Sequence, residues 1–324
     1  MKFGLTLANR QVALGTTTPA DLLSLAVQAD TEGCWDSVWV GDSLFAKPRL
    51  DALTLLGALA GVTENVRLGP ACFASTPLRP ALLLSYQWAS LDLLSGGRTV
   101  FVACQGQGAA GGGRFGSEFE ALGIDPRTRM RRMEEAIEVL RLTTGADDVS
   151  YAGEFNAFEH VTIAPPPVQR PVPIWIAANP HPDQPRNRAR ALGRVAKLAD
   201  GWMTTRYPPP IVAQYLDEIR GYAKAHGRTL GGGFEVALYY NINVNDDERL
   251  AYEQSKAFLD EYYMTDYSQP HVRDRVALGP PQACIDSLRA FEQAGVSTVT
   301  LRLLGPDIAQ QYRRVVDQVL PAFI

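Results

Sequence analysis

Residues 66–108 form a stretch that only a few folds can accommodate. VRLGPACF is an apolar run of strand length. TPLRPALLLSYQWASLDLLSGG then carries apolar residues at helical spacing (Leu82, Leu83, Tyr86, Ala89, Leu93), with Pro80 in a first turn and Gly96-Gly97 just past the end. A second apolar run follows at 99–104. Strand, helix and strand in that order make a βαβ crossover, so the two strands run parallel. Both strands stop in small or polar residues, Ala74-Ser75 and Gln105-Gly106. The carboxyl ends of parallel strands are where such folds hold ligands.

The same rhythm fills the chain. Further strands are predicted at 2–7, 37–41, 174–178, 201–204, 234–244 and 298–304, each followed by a helical pattern. Thr18, Pro19 and Asp21 read as a capped helix start, and Asn245 with Glu248 as another. Eight strand–helix units in 324 residues predict a (β/α)8 TIM barrel, one domain over 1–324, with insertions after the fourth and seventh strands. The first insertion covers about 106–168 and includes a hairpin at 149–163. Residues 264–278 read as loop. An open doubly wound sheet is the rival, and it would need a dividing linker.

Charge and composition exclude several partners. The net charge is −4 with no block of like charges, which gives a nucleic-acid backbone nothing to bind. No apolar run reaches the length of a membrane span, and MKFGLTLANR reads as a first strand. Cys34, Cys72, Cys104 and Cys284 lack metal-like spacing and read as buried thiols of a cytoplasmic protein. The four histidines are scattered, so no metal site is expected.

Candidate site residues gather at the predicted strand ends. Asp42-Ser43 follows the second strand; Asp42 either caps the next turn or orients a ligand. Ala177, Ala178 and Asn179 end the fifth strand, either as a tight turn before Pro180 or as a corner for a phosphate. Trp202, Thr204, Thr205 and Arg206 end the sixth, where two hydroxyls and a guanidinium suit an anion. Tyr239, Tyr240, Asn241 and Asn243 on the seventh either line a polar pocket or belong to the core. Gly106 to Gly111 matches G-x-G-x-x-G, but no helix opens inside it, so it reads as a pliable loop rather than a dinucleotide fingerprint.

SVWVGDS, VRLGPACFAS, LDLLSGGR, EFEALGIDP, RMEEAIEVLR, GEFNAFEHVTIAPPPVQRPVPIWIAA and ADGW, in that order, resemble the bacterial-luciferase-like superfamily. The resemblance implies a TIM barrel using reduced FMN or the deazaflavin F420. It places the flavin ring near Ala71-Cys72, where members often have a non-proline cis peptide, and near Gln105 and Gly106. The phosphate end falls at Ala178-Asn179, with Thr204 beside it. Many members carry Asp-His where this chain has Asp42-Ser43, and serine cannot titrate near neutral pH. Gln107 stands where some members place an Arg, and Arg114 is the nearest substitute. The implied activity is a two-component monooxygenase that takes reduced FMN from a separate reductase and oxygenates a small organic substrate, with a homodimeric assembly. An F420-dependent dehydrogenase or reductase is the alternative, and a non-catalytic flavin-binding protein is the alternative of another class. An aldolase or metal-dependent hydrolase would want a strand-end Lys or a His/carboxylate cluster, and the sequence shows neither.

Overall fold

The computed structural model describes residues 1–107, 114–205 and 207–323. Its strands are β1 (Lys2–Leu7), β2 (Ser37–Val40), β3 (Arg67–Pro70), β4 (Phe101–Ala103), β5 (Val149–Ala152), β6 (Ala157–Val161), β7 (Ile174–Ala177), β8 (Gly201–Thr204), β9 (Glu235–Val244), β10 (Val276–Gly279) and β11 (Thr298–Leu303). Its helices are α1 (Gln11–Leu14), α2 (Pro19–Glu32), α3 (Ala52–Val62), α4 (Ala81–Leu94), α5 (Phe115–Ala121), α6 (Arg129–Gly145), α7 (Pro185–Leu198), α8 (Pro209–Ala225), α9 (Glu248–Tyr263), α10 (Gln269–Arg273), α11 (Pro281–Gln293) and α12 (Ile308–Gln318). Eight parallel strands alternating with helices make the nearly closed TIM barrel that the sequence rhythm predicts. Among the described residues no helix is long and apolar enough to cross a membrane.

Local chemistry sets the element ends. Thr18 Oγ1 accepts from Asp21 N at 3.2 Å, and the Asp21 carboxylate accepts from Thr18 N at 2.8 Å, closing the expected reciprocal cap of α2. Three expectations are corrected. The 99–104 run is regular strand only over Phe101–Ala103, with Thr99 meeting Leu68 through a single bridge. Helix α9 is capped by Asp247, which accepts from Leu250 N at 3.1 Å, while Asn245 caps only the turn before it. The supposed loop 264–278 holds α10 and β10. β10 forms because β9 is ten residues long and its end offers an edge, Val276 lying opposite Asn241. Four residues are too few for a periodic signal.

The chain forms two compact units. One comprises Met1–Thr6, Cys34–Asp36 and Ile176–Ile324. In it β1 runs parallel to β11 with Lys2 opposite Thr298, and β11 and β8 flank β9. Tyr240 of β9 packs edge-on against Phe291 of α11 at 5.2 Å, so the strand face bearing Tyr240 is core.

The other unit comprises Leu7–Gly33 and Ser37–Trp175. β2 pairs with β3, Ser37 opposite Arg67. Buried polar side chains hold its loops. Asp92 accepts from Thr99 Oγ1 (2.6 Å), Gln169 N (2.8 Å) and Gln169 Nε2 (2.7 Å). Arg98 donates to the carbonyls of Val66 (2.6 Å), Thr63 (2.6 Å) and Ser95 (2.7 Å). Glu135 accepts from the amides of Glu154, Phe155 and Asn156, which fixes the hairpin turn between β5 and β6. Asp30 accepts from the amides of Glu64, Asn65 and Val66; burial works against its charge, but these bonds and Arg98 outweigh it and hold the carboxyl below its usual range.

Candidate functional site

After β2 the chain passes through Gly41, Asp42 and Ser43 into a pinned loop. Asn9 donates to Gly41 O (2.8 Å) and Leu50 O (3.2 Å), clasping both ends. Ser43 donates its hydroxyl hydrogen to Lys47 O at 2.8 Å, so this serine staples the loop. From α5, Glu118 accepts from Leu44 N and from Phe45 N, the latter at 3.1 Å. Glu118 is 2% exposed, and Asp42 beside the loop is 7% exposed.

Asp42 is asymmetric. Its Oδ2 accepts from Ser75 N at 2.7 Å, while its buried Oδ1 has no hydrogen-bond partner. Burial pushes the carboxyl above its usual range, and the Ser75 amide and the Arg79 and Arg49 guanidinia pull it only part of the way back. Arg79 is oriented by Ser75 Oγ, to which its Nε donates at 2.9 Å. A buried carboxyl with one oxygen bonded and one idle can hold a proton or accept one.

Beyond β3 the Ala71-Cys72 peptide is cis, as the family resemblance implies. Phe73 N then bonds Val102 O at 2.9 Å, which brings the ends of β3 and β4 side by side. The Cys72 thiol donates to the Cys104 sulfur, and the Gly106 amide donates there too. Cys72 as donor is therefore pushed well above the usual thiol range, and Cys104 as acceptor falls below it. Gln105 keeps a buried Oε1 without a partner. Gly106 has φ +69°, and a Cβ there would press on Ala74 O at 3.1 Å. Gln107 is exposed, as is Arg114, whose amide bonds Ala46 O at 2.9 Å. The glycine-rich motif from Gly108 to Gly111 lies outside the described residues.

In the other unit, the predicted strand-end residues do meet. Ala178 N bonds Met203 O at 3.1 Å, and Trp202 Nε1 bonds Ala178 O at 3.0 Å. Asn179 Oδ1 accepts from Thr204 Oγ1 (2.9 Å) and Thr205 N (3.0 Å). The hydroxyl hydrogen of Thr204 is thus spent on Asn179, and Thr204 is fully buried. Ala177, half-buried, ends β7 just before this corner. Arg206 lies outside the described residues.

Sequence reasoning passed over Lys47, Glu118 and the Cys104 side of the thiol pair. Lys47 is 4% exposed with its amine 5.1 Å from the Phe115 ring centre, and burial first, then Arg49 and Arg10, push it down to about 8. A lysine in a polar loop carries no local sign of burial. Glu118 sits in the quoted EFEALG motif, yet its partners are 73 and 74 residues away.

The sequence profile of luciferase-like monooxygenases matches residues 1–298. The chain is 28% identical over 216 residues to the FMNH2-dependent dimethylsulfone monooxygenase of Pseudomonas putida, covering 65% of this chain and 52% of that protein. It is 26% identical over 248 residues to the F420-dependent glucose-6-phosphate dehydrogenase of Kineococcus radiotolerans, covering 74% and 68%. The matched region thus spans about half to two thirds of these curated relatives. Among solved structures, the monooxygenase RslO1 from Streptomyces bottropensis superposes with a TM-score of 0.80 at 22% identity, covering 100% of both chains, a likeness of fold.

Proposed function

The chain belongs to the luciferase-like monooxygenase family, and from that premise we propose that it is a flavin-dependent oxidoreductase, a two-component monooxygenase acting with reduced FMN and O2 on a small organic substrate. The observation that carries this reading is the buried, unpartnered Asp42 Oδ1, set beside strand ends that are otherwise small. Gln105 Oε1 is a second idle acceptor, and the bare backbone of Gly106 leaves room that a Cβ would fill. Both features fit a flat ring carrying donor edges. Ala71, Cys72, Gln105 and Gly106 would hold that ring; in the other unit, the corner made by Ala177, Ala178 and Asn179, with Thr204 fixing Asn179 in place, is the candidate for a phosphate. The flavin, when bound, supplies the activation of oxygen. Asp42 Oδ1 is the atom that would take up or release a proton, burial pushing this carboxyl above its usual range, and so takes the role that histidine plays in many relatives. Ser43 contributes the loop's shape rather than a proton, since its hydroxyl is bonded to Lys47 O. Glu118 holds that loop in place through the amides of Leu44 and Phe45.

The F420-dependent dehydrogenase remains the second reading, supported by the match to such an enzyme over 74% of this chain. We further propose a homodimer. Leu83, Tyr86 and Leu94 recur along α4 and are 52%, 48% and 68% exposed, an apolar stripe that a second copy would cover. A separate flavin reductase would supply reduced FMN.

Isotope incorporation tests the reading. With reduced FMN supplied by a generic reductase under 18O2, a panel of small ketones, aldehydes and sulfones is expected to yield a product carrying labelled oxygen. Unlabelled panels under FMN, together with substrate-dependent reduction of F420, would transfer the assignment to the dehydrogenase.

A further inference from the structure

Four buried polar atoms without hydrogen-bond partners share one face of β1, β9 and β11: Thr6 Oγ1, Asn241 Oδ1, Thr300 Oγ1 and Arg302 Nε. Register puts them together. Arg302 stands opposite Asn241, and Thr300 opposite both Tyr239 and Gly4. Side chains two apart on a strand point to the same side, so Thr6, two beyond Gly4, belongs to the same face. Tyr240 points the other way, into α11.

Arg302 is the unusual member. It is 1% exposed, and among the described residues no carboxylate pairs with it. Its Nη1 donates to the Tyr263 hydroxyl at 3.0 Å, and that oxygen lies 2.9 Å from the hydroxyl of Tyr239. The rings of Tyr262, Tyr239 and Tyr263 stand 4.1, 5.0 and 5.9 Å from the guanidinium carbon. Ring faces offset part of the desolvation of a buried cation, not all of it. Water would satisfy the threonines and the asparagine but would bring no counter-charge. The tyrosines hold one side of the guanidinium in place and leave the Nε edge bare, the edge that accepts an oxyanion in a two-point contact.

We propose that Arg302 binds the oxyanion of a small organic acid, a carboxylate or a sulfonate, through its Nε edge, with Asn241 and Thr300 meeting polar atoms of the same molecule. The site is built within one unit, from β9, β11 and α9, and stands independently of the oxidoreductase reading. Tyr263 and Tyr239 are positioning residues, keeping the guanidinium aimed.

Calorimetric titration with acetate, benzoate and methanesulfonate, against acetamide, benzamide and dimethyl sulfone as uncharged counterparts, tests it on the full chain. At least one anion is expected to bind about tenfold or more tightly than its uncharged counterpart. Arg302→Lys, which keeps the charge and loses the planar fork, is expected to remove most of that preference. Equal binding of anion and neutral partner, binding of none, or full preference in Arg302→Lys would overturn the proposal. So would an Arg302 dependence confined to inorganic phosphate and FMN, which would make this the cofactor's phosphate site. Reduced-flavin binding by the same preparations separates the two readings: flavin bound with no anion preference removes only the anion site, and anion preference with no flavin bound removes only the flavin.

Discussion

Asp42→Asn is expected to lower turnover by about 10²–10⁴-fold, the usual worth of a positioned proton-transfer group, while raising thermal stability at neutral pH. Asparagine can still accept from Ser75 N, so the geometry survives. What goes is the ability of the idle oxygen to take up and release a proton. The stability effect follows from the direction of the pKa shift. Burial raises the folded-state value above the unfolded one. A group of that kind contributes stability that is fully present below its unfolded pKa and is lost as pH rises through the raised folded value. Asparagine cannot ionise, so the variant should match the native protein in acid and exceed it at higher pH. Melting curves from about pH 4 to about pH 8, paired with kcat, check both halves. Unchanged turnover, or a variant equally destabilised at both ends, would contradict the assignment.

Asp92→Ala is expected to cost about 3–5 kcal/mol of stability, because three donors lose their acceptor at roughly 1–3 kcal/mol each with imperfect additivity. Those donors are Thr99 Oγ1, Gln169 N and Gln169 Nε2, and Asp92 itself is fully buried. Asp92→Asn keeps one acceptor oxygen and should fall between the two. Guanidinium unfolding with an unchanged m-value reads the difference directly. Losses under about 1 kcal/mol for both variants would mean that the Asp92 network does not hold the connector.

These residues explain why the family is legible in the sequence alone. Asp92 and Arg98 lie in LDLLSGGR, Gln169 in PPPVQRPVP, Glu118 in EFEALG, and Glu135 in RMEEAIEVLR. Asp92 meets Gln169, and Glu135 meets the turn of GEFNAF. The quoted motifs therefore pair with one another: their letters are demanded by buried loop bonds, which are specific, and only indirectly by chemistry. Strand–helix alternation was equally legible, because parallel strands buried on both faces are continuous apolar runs. The site was legible mainly as a set of strand ends. That Asp42 has one bonded and one idle oxygen depends on Ser75, 33 residues away. The setting of Arg302 depends on three elements, with Tyr239 and Tyr263 on β9 and α9. Neither arrangement has a local spacing to read. β10 was missed for a related reason, since its partner edge on β9, not its own four residues, makes it a strand.

The most direct test of the central claim, that the ends of β2, β3 and β4 receive a flavin, is anaerobic equilibrium titration with reduced FMN and with reduced F420, on the native chain and on Gly106→Val. Saturable binding of reduced FMN at one per chain is expected, lost when a valine side chain is forced against Ala74 O at a positive φ. Binding of neither flavin, or flavin binding untouched by Gly106→Val, would contradict it.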